Sequence, residues 1–191
     1  LLDAQEISVL QQISTLDSVS GRFQYYVAPN GATAIVDYAH TPDALENVLG
    51  TIAGIRTGNE TLITVVGCGG DRDTTKRPKM GAVATHWSNK VIFTSDNPRS
   101  ESPDQIIAQM EAGVPAHEYK KFVSISDRRA AIKTAVQMAT SGDLILIAGK
   151  GHETYQEIAG VRHDFDDYQI VTEFLNDQTT WYAVLFIWFF G

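Results

Sequence analysis

From residue 61 onward short apolar runs and helical stretches take turns, and this alternation narrows the possible folds more than any other feature of the chain. Apolar runs at 61–66, 90–94, 122–125 and 144–148 are separated by helical patterns near 79–87, 103–112 and 127–139. A strand that must wait for a helix before the next strand cannot close a tight hairpin with it. The crossover makes neighbouring strands parallel and places helices on the sheet faces, so the expected architecture is α/β with a doubly wound, mainly parallel sheet. The start of the chain differs. Residues 23–28 and 32–38 read as two strands joined through Pro29-Asn30-Gly31, an antiparallel hairpin in which Asn-Gly supplies positive φ. Thr41-Pro42-Asp43 then opens a helix to about residue 51, with Thr41 as N-cap and Pro42 in the first turn, where its missing N–H costs nothing. No internal repeat or low-complexity segment is present.

The 191 residues are 43% hydrophobic, enough for one ordinary domain with a real core. Fifteen basic against 23 acidic residues give a formal charge of −8, which argues against a nucleic-acid surface, since neutralising phosphates requires clustered Lys and Arg. Cys68 is the single cysteine, so no internal disulfide can form and a reducing cytoplasm is the expected compartment. Its turn, Gly67-Cys68-Gly69-Gly70, fixes no base beside it, and a structural role is expected. Leu1 is not an initiator Met, and Leu2, Ile7, Leu10, Ile13 and Leu16 have the spacing of a helix that needs something to pack on. The chain is therefore expected to begin inside a larger protein. Residues 181–190 are ten uninterrupted apolar or aromatic positions, about half a membrane span. A buried or interface-packed tail is preferred to a membrane-surface anchor because no basic residues accompany it, so membrane contact is not expected. No signal peptide is visible.

In a parallel sheet, ligands bind where the strands end. The residues that follow the strands are 37–42, 67–76, 96–99 and 149–153, and these loops hold nearly all the reactive side chains. Asp96-Asn97-Pro98-Arg99 sits directly behind an apolar run, and Arg99 offers a planar fork of donors suited to a carboxylate or phosphate. The glycine-rich loop before Asp73 offers flexible backbone, with Arg72 either a clamp on a ligand or paired with Asp71 and Asp73 at the surface. Lys76, Arg77 and Lys79 read as a solvated helix start. Gly149-Lys150-Gly151-His152-Glu153 is not a Walker phosphate loop, because position 144 is Leu and Gly151 follows the lysine. His152 and Glu153 either recognise an ammonium or form a loop salt bridge. His40, His86, His117, His152 and His163 show no ligand spacing with one another, so no metal site is expected in this chain.

Taken together, five strings are similar to the C-terminal part of a Mur ligase: Gly21-Arg22-Phe23, residues 36–43 (VDYAHTPD), residues 69–73 (GGDRD) with Lys76-Arg77-Pro78, residues 96–101 (DNPRSE) and residues 148–156 (AGKGHETYQ). Within that family the pattern most resembles the UDP-N-acetylmuramoyl-tripeptide synthetases. The resemblance runs in order over residues 1–177 and finds no counterpart beyond. It implies a Rossmann-like domain and a cytoplasmic step of peptidoglycan synthesis. In that step ATP, with Mg2+, activates the D-glutamate side-chain carboxylate of UDP-N-acetylmuramoyl-L-alanyl-D-glutamate, and the amine of a diamino acid attacks the acyl phosphate. It further implies that residues 1–20 end a central ATPase domain, that 21–177 form the amino-acid domain, and that 178–191 are an apolar tail of unassigned status. By resemblance Arg72, Asp96, Asn97, Arg99, Gly149 and Glu153 match the amino-acid pocket, and Arg22, Asp37 and His40 match positions facing ATP. Meso-diaminopimelate is the expected amino acid, with Arg99 choosing it over lysine and Glu153 taking a distal ammonium. No catalytic residue is assigned within this chain, which alone is expected to be inactive. The competing expectation is a non-catalytic interaction module that uses the aromatic tail or the first helix.

Overall fold

The computed structural model describes residues 22–177. The expected first helix, the 178–191 tail and the boundary proposed near residue 20 lie outside the described residues. Six strands form one sheet: β1 (Gln24–Val27), β2 (Thr33–Asp37), β3 (Leu62–Val66), β4 (Lys90–Phe93), β5 (Phe122–Ser124) and β6 (Leu144–Ala148), in the spatial order β1-β2-β6-β3-β4-β5. All neighbours run parallel except β1, which pairs antiparallel with β2 in the register Gln24↔Val36. The doubly wound sheet with an antiparallel N-terminal hairpin is thus the observed fold.

Helices α1 (Pro42–Ile55), α2 (Lys76–Trp87) and α3 (Pro103–Glu111) cover one face. Leu45, Leu49, Ile52, Met80 and Met110 pack there on Ile35, Val66, Val91 and Phe93. On the other face α4 (Arg128–Met138) and the helical residues 167–177, α5, bury Ile132, Val136, Val171 and Leu175 against Val36, Ile63, Val65 and Ile147. Strands β3 and β6 are buried at every position, which is why they read as continuous apolar runs rather than as alternation. Each such Leu, Ile or Val removed from water contributes about 1.5–3 kcal/mol.

Several local expectations need correction. In the hairpin only Gly31 takes a positive φ, 89°, while Gly31 N–H donates to the Ala28 carbonyl at 2.9 Å, so Pro29-Asn30 make an ordinary turn and glycine alone supplies the left-handed step. Thr41 caps α1 as expected, accepting from Ala44 N–H at 3.3 Å, but the helix continues to Ile55 because Ile52 still faces the core. Helix α2 starts at Lys76, and Arg77 is fully buried rather than solvated, gripping Glu101 with two bonds of 2.8 Å. A second sheet, β7 (Tyr155–Ile158) with β8 (Val161–Asp164), was not expected from the sequence. No helix of the described residues is long and apolar enough to cross a membrane.

Candidate functional site

Strands β2, β6, β3 and β4 are consecutive in the sheet, so the loops that leave their C-terminal ends meet along one edge. A cleft of about 600 Å³ opens there, and Arg72, Asp96, Asn97, Arg99, Gly149 and Glu153 all line it. A neighbouring cleft of about 450 Å³ is lined by Arg22, Asp37 and His40. Arg22 and Asp37 line only the smaller cleft and the six amino-acid-pocket candidates only the larger one, while His40, with Tyr38, lines both.

The floor of the larger cleft is made of buried polar groups, with Asn97, Lys150 and Glu153 bonded to one another and Asp96 beside Lys150. Asp96 and Asn97 are buried, at 6% and 3% exposure. Asn97 donates to Glu153 Oε2 at 2.9 Å, while its Oδ1 accepts from Lys150 Nζ at 3.0 Å and from Glu157 N–H at 2.9 Å. Lys150 has no exposed surface and also lies 3.3 Å from Glu153 Oε2 and 3.8 Å from Asp96 Oδ1. Burial pushes the Asp96 carboxyl above the usual carboxylate range, against the opposing pull of Arg128 and Lys150. Gly149 is required here on two counts: its φ is +119°, and a Cβ would stand 2.6 Å from Asp96 Oδ2. Beneath this layer Arg128 binds Asp167 twice, at 2.8 and 2.7 Å, and donates to the carbonyls of Ser95 and Ala148. That pair ties the end of β6 to the loop after β4.

The rim is different. Arg72 is exposed and makes no hydrogen bond or ion pair with the described residues, although Asp71 and Asp73 are its neighbours. Asp71 bonds Ser100 Oγ at 2.6 Å, and Asp73 accepts from Thr75, so the expected alternative of mutual pairing within this loop does not occur. Arg99 is half-buried and spends one donor on the Gly70 carbonyl at 2.8 Å, with no carboxylate partner among the described residues. Its backbone is left-handed, φ 52°, held by bonds to Glu157 and Ala159 of the β7–β8 hairpin. Gly70 lets the loop approach, since a Cβ there would lie 1.9 Å from the Pro98 carbonyl. The tetrapeptide 96–99 is therefore divided: Asp96 and Asn97 are buried, with the Asn97 amide committed to Glu153, and Arg99 keeps donors for the cleft.

In the smaller cleft Asp37 is already committed, accepting from Phe23 N–H and Ala39 N–H at 2.8 Å each. It holds the positive-φ backbone of Phe23, and with it Arg22, at the cleft mouth. Lys76, expected in solvent, bonds the His40 carbonyl at 2.8 Å and lines the larger cleft. Cys68 is buried and its thiol is pushed up to about 12 by desolvation, as suits a packing residue. Sequence reasoning missed Lys150, Arg128 and Asp167. Only the placement of Lys150 directly behind a buried strand could have signalled the first. Among the described residues no group of three or more His, Cys, Asp or Glu could hold a metal ion.

Comparison with known proteins then bears on this geometry. The glutamate ligase domain of Mur ligases matches residues 21–151. The chain is 55% identical over 176 residues to the UDP-N-acetylmuramoyl-L-alanyl-D-glutamate--2,6-diaminopimelate ligase of Bacteroides thetaiotaomicron, covering 92% of this chain and 36% of that protein. It is 50% identical over 163 residues to the ligase of the same name from Bacillus licheniformis, covering 85% of this chain and 32% of that one. A solved structure of a ligase so named superposes with a TM-score of 0.77 at 47% identity, over 86% of this chain and 33% of the other. The chain spans about a third of the length of these relatives.

Proposed function

This chain belongs to the Mur ligase family, and from that premise we propose that it is the C-terminal domain of an ATP-dependent ligase that adds meso-diaminopimelate to UDP-N-acetylmuramoyl-L-alanyl-D-glutamate in the cytoplasm. Residues 1–20 would end the ATPase domain, and residues 21–177 present the amino acid. The observation that carries this reading is the cleft itself, whose lining combines two arginine forks without carboxylate partners among the described residues, Arg72 and Arg99, with the Glu153 carboxylate. Together they complement an end group bearing both a carboxylate and an ammonium.

Diaminopimelate differs from lysine by one distal carboxylate. With lysine bound, the Arg99 fork loses water without gaining a partner, a penalty of about 1–3 kcal/mol, or roughly ten- to a hundredfold in affinity. ATP supplies the phosphoryl group that turns the D-glutamate side-chain carboxylate into an acyl phosphate; the incoming amine forms the amide and phosphate leaves. This chain's part is to bind and orient the amine-bearing substrate. Arg22 and His40, exposed at the smaller cleft, fit the role of donors facing a polyphosphate, whereas Asp37 acts through them by fixing the backbone. A Mg2+ ion accompanying the nucleotide would draw its protein ligands mainly from the upstream domains.

A chimera tests the assignment. Residues 22–177 replace the matching third of the Bacteroides thetaiotaomicron relative, and ATP-dependent product is followed with each diamino acid. The expected outcome is ligation of diaminopimelate in clear preference to lysine; a folded chimera that ligates lysine equally well rejects the substrate assignment.

A further inference from the structure

A lysine ammonium with no exposed surface is costly to bury, by several kcal/mol unless well paired, so its partners reveal what it is for. Those of Lys150 are Asn97 Oδ1 at 3.0 Å, Glu153 Oε2 at 3.3 Å, Asp96 Oδ1 at 3.8 Å and the face of Tyr155 at 5.4 Å. Every one of these four residues lines the larger cleft, while Lys150 itself does not. A second buried cation, Arg128, behaves differently. Arg128 spends its donors on Asp167 and on two backbone carbonyls, none of which line the cleft. One buried cation therefore braces the fold, and the other braces the wall of the site.

We infer that Lys150 is a positioning residue for the ammonium of the incoming amino acid, acting through Glu153; the inference rests on the substrate reading given above. Lys150 Nζ and Asn97 Nδ2 both occupy Glu153 Oε2, which holds that oxygen against the buried groups and leaves Oε1, in a side chain that lines the cleft, without a hydrogen bond to the described residues. The carboxylate is thereby held in one rotamer before substrate arrives, and the ordering cost is not charged to binding. Without Lys150 two carboxylates would face each other across Asn97, and Glu153 would be free to turn away from the cleft.

Because the distal ammonium is common to diaminopimelate and lysine, Lys150 must affect both alike, whereas Arg99 must affect their ratio. The 191-residue chain is titrated calorimetrically with meso-diaminopimelate and with lysine, as wild type, Lys150→Met, Lys150→Gln, Glu153→Gln and the Lys150→Met/Glu153→Gln double variant. Circular dichroism verifies folding, and Lys150→Gln, which keeps a hydrogen-bond donor in the same space, serves if the Met variant does not fold. The expected result is at least a tenfold loss for both amino acids with their ratio unchanged, and a double variant no weaker than the weaker single one. Wild-type affinity in a folded Lys150 variant, or losses that multiply in the double variant, would overturn the inference while leaving the substrate reading in place. A wild-type chain that binds neither amino acid removes the substrate reading, and this inference with it.

Discussion

The floor and the rim of the larger cleft are built from the same residue types and behave in opposite ways. On the floor Asn97 and Lys150, and beneath them Arg128 and Asp167, are buried and hydrogen-bonded in pairs; on the rim Arg72 and Arg99 are accessible and lack carboxylate partners among the described residues. A charge that is buried and paired contributes geometry, and removing its partner leaves an uncompensated ion in low dielectric. A charge that waits at the surface contributes little to stability and is available to a ligand. The comparison teaches that the same arginine or aspartate signal in a sequence has two meanings, separated by burial and by what already occupies its donors.

Substitutions can break or sharpen this contrast, and the largest effect belongs to the deepest pair. Asp167→Ala leaves the Arg128 guanidinium buried without its carboxylate and should cost about 3–5 kcal/mol in denaturant unfolding; a loss under 1 kcal/mol would show that the floor is not held by this pair. Next comes Gly149→Ala, which meets both a φ of +119° and the Asp96 carboxylate at 2.6 Å. A loss of about 1–3 kcal/mol is expected from the strained backbone alone, measured by thermal melting. A smaller effect is set by pH. Glu101 is held down to about 2 by the bonds from Arg77 and by the Asp71 N–H, from an ordinary value of 4.5. A depressed folded value means this stabilisation is complete above pH 4.5 and fades as pH falls toward 2, because the unfolded state takes up the proton first. Acid unfolding of Arg77→Met should lack that component, and an unchanged acid limb would contradict it. Arg72→Ala marks the far end of the scale: its stability should stay within about 0.5 kcal/mol of wild type, since the side chain touches nothing it would leave unpaired.

Much of this was legible in the residues. Strand–helix alternation fixed the parallel sheet, and reading only the residues after each strand collected Arg72, Asp96, Asn97, Arg99, Gly149 and Glu153 of the cleft from three separate loops. The sequence failed where a role depends on partners far away along the chain. Arg128 and Asp167 are 39 residues apart and carry no pattern that joins them. Arg77 looked like a charged helix start because the burial that Glu101 and Gln109 impose on it is tertiary. The β7–β8 hairpin escaped because β8 is exposed at every position and so lacks the apolar alternation by which strands are found. Asp37 shows the same limit in another form. Its type suggested a ligand, yet both oxygens are engaged by backbone N–H groups.

On the proposed function, the rim selects a diamino acid through Arg99, by its extra carboxylate. The direct test is the ratio of meso-diaminopimelate to lysine affinity for this chain, measured by calorimetry for wild type, Arg99→Ala and Arg99→Lys. A wild-type preference for diaminopimelate is expected, falling roughly ten- to a hundredfold in Arg99→Ala as diaminopimelate loses its partner and lysine is relieved of the unpaired fork. Arg99→Lys should recover only part, because an ammonium cannot reproduce the planar fork. Equal affinities in the wild type, or a preference that survives Arg99→Ala, would contradict it.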